Sequence, residues 1–152
     1  PPPLHSPSFF FLMIRSPARS TLDRSSAASD VYKRQVRDNG ILEMNGRAVF
    51  TFSVRVVPKN ILEMLEKNRL EIEHIDLFLL HQGSLHIVNS IADALGVPRE
   101  KCPFHSGEYG NTVSSSIPML LHREFDNPTM KTAVISGFGV GLSWASTVLY
   151  RL

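Results

Sequence analysis

The chain has 152 residues, 43% hydrophobic and 20% charged, with one cysteine and a formal net charge of +2. That is the composition of one ordinary globular domain, and it excludes a disordered, fibrous or disulfide-stapled chain. The early apolar run from Phe9 to Ile14 is far shorter than the ~20 residues of a bilayer span, so no membrane span is expected. Cys102 alone, with histidines that have no cysteine partners, gives neither an internal disulfide nor a zinc-ribbon spacing. The expectation is a reducing, cytoplasmic setting without a metal site.

Charge is unevenly placed. Residues 1–35 carry a net +3, from Arg15, Arg19, Arg24, Lys33 and Arg34 against Asp23 and Asp30, which leaves −1 for the rest. A slightly acidic body without a basic stripe offers no footing for nucleic acid. The same 35 residues are rich in proline and serine and have no apolar periodicity beyond FFFLMI, so they are read as a disordered leader that builds no core element. No basic residue precedes the apolar run, which argues against a secretory signal, while the Arg- and Ser-rich composition leaves an organelle transit peptide open. The strings FFFLMIR and RSTLDRSSAASDVYKRQ resemble the conceptual translation of sequencing-adapter DNA. On that reading residues 1–35 are set aside, one domain covers residues 36–152, and part of the protein lies upstream of this sequence.

Within that domain, Arg47 to Val57 fits two periods. Phe50, Phe52, Val54 and Val56 alternate as a strand, Val49, Phe52, Ser53 and Val56 share a helical face, and propensity favours the strand. Pro58 then stands as a first-turn proline for an amphipathic helix carrying Ile61, Leu62 and Leu65 and ending near Asn68. Ile75 to Leu80, apolar except for Asp76, suits a strand covered on both faces. Ser84 is placed to cap a helix with Val88, Ile91, Ala92 and Leu95 inward, stopped by Gly96 and Pro98. A short strand near Phe104, a turn at Gly107–Asn111 and a helix over Val113–Arg123 follow, broken at Asn127-Pro128. Thr132–Ser136 and Ser143–Tyr150 read as strands joined by a glycine turn, so the whole is an α/β layered sheet.

Three segments put polar or glycine clusters at the ends of apolar elements, where α/β folds place their sites. They are Leu79-Leu80-His81-Gln82-Gly83-Ser84, Tyr109-Gly110-Asn111-Thr112-Val113-Ser114 and Gly137-Phe138-Gly139-Val140-Gly141-Leu142. Singly, His81 reads as a satisfied strand-end histidine, Asn111 as a turn residue, and the glycine run as a hairpin rather than a nucleotide loop, since no helix follows it. His81 and His86 lie on different faces of a helix and make no metal pair. His74, His105 and His122 read as solvated or linker residues. Trp144 and Phe138 are able to line a tunnel, with core packing the default for Trp144.

In order and spacing together, LLHQGS, GNTVSSSIP and GFGVGLSW resemble the C-terminal half of the β-ketoacyl-acyl-carrier-protein synthase III family, over residues 41–152. The resemblance implies a thiolase-like C-terminal half with an αβα-layered mixed sheet. It implies an acyltransferase that condenses an acyl primer with malonyl thioester by decarboxylative Claisen chemistry, as in fatty acid chain initiation. It maps the family's catalytic histidine and asparagine onto His81 and Asn111, a backbone oxyanion contact onto Gly139 and Val140, and substrate contacts onto Gly83, Ser84 and Phe138. No cofactor is implied. The substrates would be acyl-CoA and malonyl-acyl carrier protein, the partner an acyl carrier protein, and the full enzyme a homodimer.

The pattern has departures. The family's nucleophilic cysteine belongs to the half absent from this sequence, and Cys102, after a Pro-Arg-Glu-Lys linker, reads as a structural residue, so the fragment is expected to be inactive alone. Where many members read His-Gln-Ala-Asn, Gly83 and Ser84 stand here, and His86 replaces an arginine that helps dock the carrier. Val140 interrupts the usual glycine triplet. For the implied chemistry a neutral His81 would need its Nε2 proton outward, enforced by a backbone partner at Nδ1. Two other readings stay open at this point: a secondary-metabolite condensing enzyme making polyketides or ketones, and a non-catalytic acyl-binding pseudoenzyme.

Overall fold

The computed structural model describes residues 9–12, 34–36, 42–139 and 143–151. Its elements are β1 (Phe9–Leu12), β2 (Arg34–Val36), β3 (Leu42–Met44), α1 (Gly46–Lys67), β4 (Leu77–Leu80), α2 (Leu85–Leu95), the single turn α3 (Ser106–Tyr109), α4 (Ser116–Glu124), β5 (Thr132–Phe138) and β6 (Trp144–Arg151). Short 3-10 turns stand at Ile72–His74, Arg99–Lys101 and Val113–Ser115.

Four consecutive apolar residues have no face to offer water, and all four residues of β4 are buried. The strand lies in a sheet of order β1-β6-β5-β4, parallel to β5 with Leu77 opposite Ala133 and Leu80 opposite Ser136. β5 and β6 form an antiparallel hairpin from Thr132–Tyr150 to Phe138–Trp144, and β2 and β3 make a separate antiparallel pair. Asp76 fixes the start of the parallel pair. Its Oδ2 accepts the backbone N–H groups of Lys131 and Thr132 at 2.8 Å each, and its own N–H donates to Thr132 O at 2.9 Å. The one charge in the apolar run is thus the group that sets the register.

Alternation along β4 divides the core into two layers. Phe78 and Leu80 pack with Val57, Ile61, Val88 and Ile91 of α1 and α2. Leu77 and Leu79 face the other way, against Leu120 of α4 and Met130. Helices therefore cover both faces of a mixed sheet, the αβα layering expected of a thiolase-like half. α2 ends as its sequence dictates, at Gly96 with φ 70°, a left-handed cap that glycine adopts without steric cost.

Several local expectations are corrected. Residues 47–57 are helix, not strand, and Pro58 lies inside α1 rather than at its first turn. Asn45 caps the helix by accepting Ala48 N–H at 3.0 Å, and Ser53, Val57, Pro58, Ile61, Met64 and Leu65 are its buried residues, one helical stripe against the sheet. The strand propensity of the valines loses to that packing. Ser84 holds the N-cap position of α2 without a side-chain cap bond. Pro103–His105 form no strand, and the expected turn at 107–111 begins as the helical turn α3. Phe9–Leu12, placed in a leader without core elements, instead runs antiparallel along β6, where an apolar run can supply an edge strand. Apart from Phe9–Leu12 and Arg34–Gln35, the leader lies outside the described residues.

Candidate active site

The site forms where β4 and β5 end side by side. His81 is the first residue past β4, and its backbone N–H donates to Ser136 O at 2.9 Å, so the ring is carried by the last rung of the parallel pair. Asn111 arrives on the loop between α3 and the Val113 turn. A Cβ placed on Gly83 would lie 3.3 Å from His81 Nε2 and 3.9 Å from Asn111 Nδ2. Both side-chain nitrogens therefore look onto the same small space above Gly83, which the absence of a side chain there leaves open. An alanine would press on the imidazole edge.

His81 and Asn111 also line a cavity of about 460 Å³, together with Ile117, Phe138 and Trp144 among others. The Phe138 ring meets His81 edge to face, with centroids 5.4 Å apart and planes at 85°, and gives one wall apolar character. Trp144 is 38% exposed at the rim, so the default of core packing is corrected: it stands edge-on to Phe52 of α1, at 5.4 Å, and borders the cavity. A second cavity of about 510 Å³ lies beyond the loop, beside Tyr109 and Arg123. Beside it Arg123 pairs with Glu108 at 2.7 Å, and His105 Nε2 lies 3.3 Å from Glu124 Oε1. The Arg123 hydrogen bond holds the Glu108 carboxyl below the usual carboxylate range. It lacks the His81–Asn111 pair, and the smaller cavity is where donors converge.

Each donor is oriented by a hydrogen bond. Asn111 Oδ1 accepts the N–H of Val113 at 3.0 Å, which turns its amide nitrogen away from the loop backbone. His81 Nδ1 lies 2.9 Å from Ser116 Oγ, a hydroxyl where the sequence led us to expect a backbone group. The loop is fastened to the strand end by Gln82, which is buried. Its Nε2 donates to Leu80 O at 2.9 Å and Pro103 O at 3.1 Å, and its Oε1 accepts His105 N–H at 2.8 Å. Ser106 Oγ lies between two acceptors, 2.8 Å from Gln82 O and 2.5 Å from Gly110 O, one residue before Asn111, and its single proton is shared between them.

Of the other expected site residues, Phe138 lines the cavity, Gly83 lies beside the His81 and Asn111 side-chain nitrogens, and Ser84 stands at the start of α2. The oxyanion role for Gly139 is corrected, because its N–H donates to Ser143 O at 3.0 Å and closes the β5–β6 hairpin. Val140 lies outside the described residues. Cys102 is 3% exposed, and burial pushes its thiol up to about 12, so it is no nucleophile. His86 stacks on Phe50, centroids 4.8 Å apart and planes within 3°. Among the described residues no three His, Cys, Asp or Glu side chains group to hold a metal ion, and no helix is long and apolar enough to cross a membrane. Gln82 and Ser116 were not singled out from sequence, although Ser116 lies one helical turn before Leu120 and shares its buried face.

A histidine past a strand end and an asparagine on the neighbouring loop meet in a layered α/β half of thiolase-like fold. The profile of the 3-oxoacyl-[acyl-carrier-protein] synthase III C-terminal family matches residues 65–151, and the chain belongs to that family. It is 42% identical over 130 residues to the β-ketoacyl-[acyl-carrier-protein] synthase III of Streptococcus mutans, covering 82% of this chain and 39% of that protein. Its fold matches the synthase III structure from Thermus thermophilus with a TM-score of 0.73 and 34% identity, over 80% of this chain and 42% of that one. The priming β-ketosynthase of the R1128 polyketide pathway matches with a TM-score of 0.69 and 29% identity, over 82% of this chain and 42% of that one. The chain thus spans about 40% of the length of the relatives it matches.

Proposed function

We propose that this chain is the C-terminal part of an acyltransferase that joins an acyl primer, delivered by coenzyme A, to malonyl-acyl carrier protein. The observation that carries the reading is the convergence of His81 Nε2 and Asn111 Nδ2 above Gly83, beside Phe138, in a chain of this family. The nucleophilic cysteine, supplied by the rest of the protein, first takes the acyl group as a thioester. In the malonyl thioester the bond to the carboxylate then breaks, carbon dioxide leaves, and the electron pair moves toward the thioester oxygen as an enolate. His81 and Asn111 hydrogen-bond to that oxygen as its charge grows, which is transition-state stabilisation by fixed donors. The enolate carbon attacks the acyl carbonyl, a carbon–carbon bond forms and the cysteine thiolate is expelled.

Asparagine suits its part because its amide donates without titrating. No cofactor enters, since every electron pair that moves belongs to the two thioesters. The full enzyme would work in the cytoplasm as a homodimer, with fatty acid chain initiation as its task. Similarity to the R1128 priming ketosynthase supports a second reading, the same reaction used to start a polyketide. In the full-length enzyme, release of carbon dioxide from malonyl-acyl carrier protein should depend on acyl-CoA and yield a 3-oxoacyl product. Acyl binding without any carbon–carbon product would favour the pseudoenzyme instead.

A further inference from the structure

A run of three hydrogen bonds joins the two donors through Val113 and Ser116. Val113 N–H holds Asn111 Oδ1, Val113 O accepts the Ser116 hydroxyl at 2.9 Å, and Ser116 Oγ meets His81 Nδ1 at 2.9 Å. Val113 adopts φ 53°, the left-handed region that a β-branched residue avoids. Its side chain is 54% exposed, so packing is not what holds it there. What the conformation secures is a backbone N–H on one donor's side chain and a carbonyl on the other donor's support, the kind of strain found at functional sites.

A serine hydroxyl has one proton to give. In this structure Ser116, itself buried, directs it to Val113 O, a group that can only accept. A Ser116 Oγ that gives its proton to Val113 O can meet the imidazole only as an acceptor, which requires hydrogen on His81 Nδ1 and leaves Nε2 of a neutral ring as a lone pair. This is the tautomer opposite to the one the sequence reading required.

We propose that Ser116 is a positioning residue that fixes His81 in the Nδ1–H tautomer, so that the ring becomes a donor at Nε2 only by taking up a proton there. The proposal rests on the donor role given to His81 above, and it specifies the charge state of that donor. The proton comes from solvent, an O–H bond of hydronium breaking as an N–H bond forms at Nε2. The imidazolium is then held by Ser116 at Nδ1 and points its new N–H at the thioester oxygen. Coenzyme A leaves as a thiolate and takes its proton from water. Decarboxylative condensation returns the cysteine as thiolate, so the imidazolium is carried through the cycle without further proton transfer.

Two-bond ¹H–¹⁵N correlation spectra of the ¹⁵N-histidine-labelled chain, taken where the ring is neutral, test this without reference to activity. The wild-type His81 ring should show a protonated Nδ1 and an unprotonated Nε2. Ser116→Ala should move the ring to the Nε2–H or an averaged pattern, and Ser116→Thr, which keeps the hydroxyl, should restore the wild-type pattern. A neutral wild-type ring protonated at Nε2, or a pattern unchanged in Ser116→Ala, overturns the proposal. The wild-type spectrum decides by itself should the alanine variant fail to fold. Failure here leaves the condensing reaction standing, because that is judged by carbon dioxide release.

Discussion

His81 and Asn111 face one cavity from supports of opposite kind. His81 follows a strand whose four residues are buried and whose backbone is laddered to β5. Asn111 stands on a loop whose fastenings are largely side-chain hydrogen bonds, those of Gln82, Ser106 and its own Oδ1. Core packing can place the first donor to high accuracy at no extra cost. The second needs a dedicated polar network, anchored on buried Gln82, whose polar atoms have to stay satisfied.

The largest way to break the contrast is to remove the core under His81. Phe78→Ala should cost about 3–5 kcal/mol and lower Tm by on the order of 10–20 °C, since Phe78 is fully buried among α1 and α2. Thermal unfolding checks it, and a small change would mean that β4 is not the anchor described. Gln82→Ala should cost less overall, on the order of 1–3 kcal/mol for the unpaired groups it leaves, but the loss should be local. Hydrogen exchange should quicken at His105 and Gly110 while the His81 amide stays protected. Equal loss at both places would erase the distinction between the two supports.

Cys102 sharpens the comparison from the side of reactivity. Its thiol is raised from 9.0 to about 12 by burial, so at pH 8 the folded protein should resist iodoacetamide and react only on unfolding. The sign for stability follows from that direction. Below about pH 9 the thiol is neutral in both states and contributes no pH dependence, and between about 9 and 12 the unfolded chain ionises first and the fold weakens. The smallest effect belongs to the exposed Arg123–Glu108 pair beside the second cavity. Arg123→Ala should shift Tm by no more than about 2 °C.

Much of this was legible in sequence where the cause is local. An unbroken apolar run predicts β4, a periodic stripe ended by glycine predicts α2, and the short motifs around His81 and Asn111 mark the two residues that meet at one cavity. Legibility failed where the decisive contact is remote. Phe50, Phe52, Val54 and Val56 alternate as a strand does, and only packing of Ser53, Val57 and Ile61 on a distant sheet makes that stretch helix. Ser116 is 35 residues from His81, and Gln82 reaches Pro103 and His105 across 21 and 23, so neither role is visible in any window of the chain. Gly139 misled for a related reason, because a hairpin bond claims the N–H that the glycine run seemed to offer.

The most direct test of the central claim is the effect of His81→Ala in the full-length enzyme on two rates, acylation of the nucleophilic cysteine and decarboxylation of malonyl thioester. Decarboxylation should fall on the order of a hundredfold to a thousandfold, as on removal of an oxyanion donor, while acylation falls much less. Decarboxylation at the wild-type rate by folded His81→Ala protein would contradict the role assigned to the pair above Gly83.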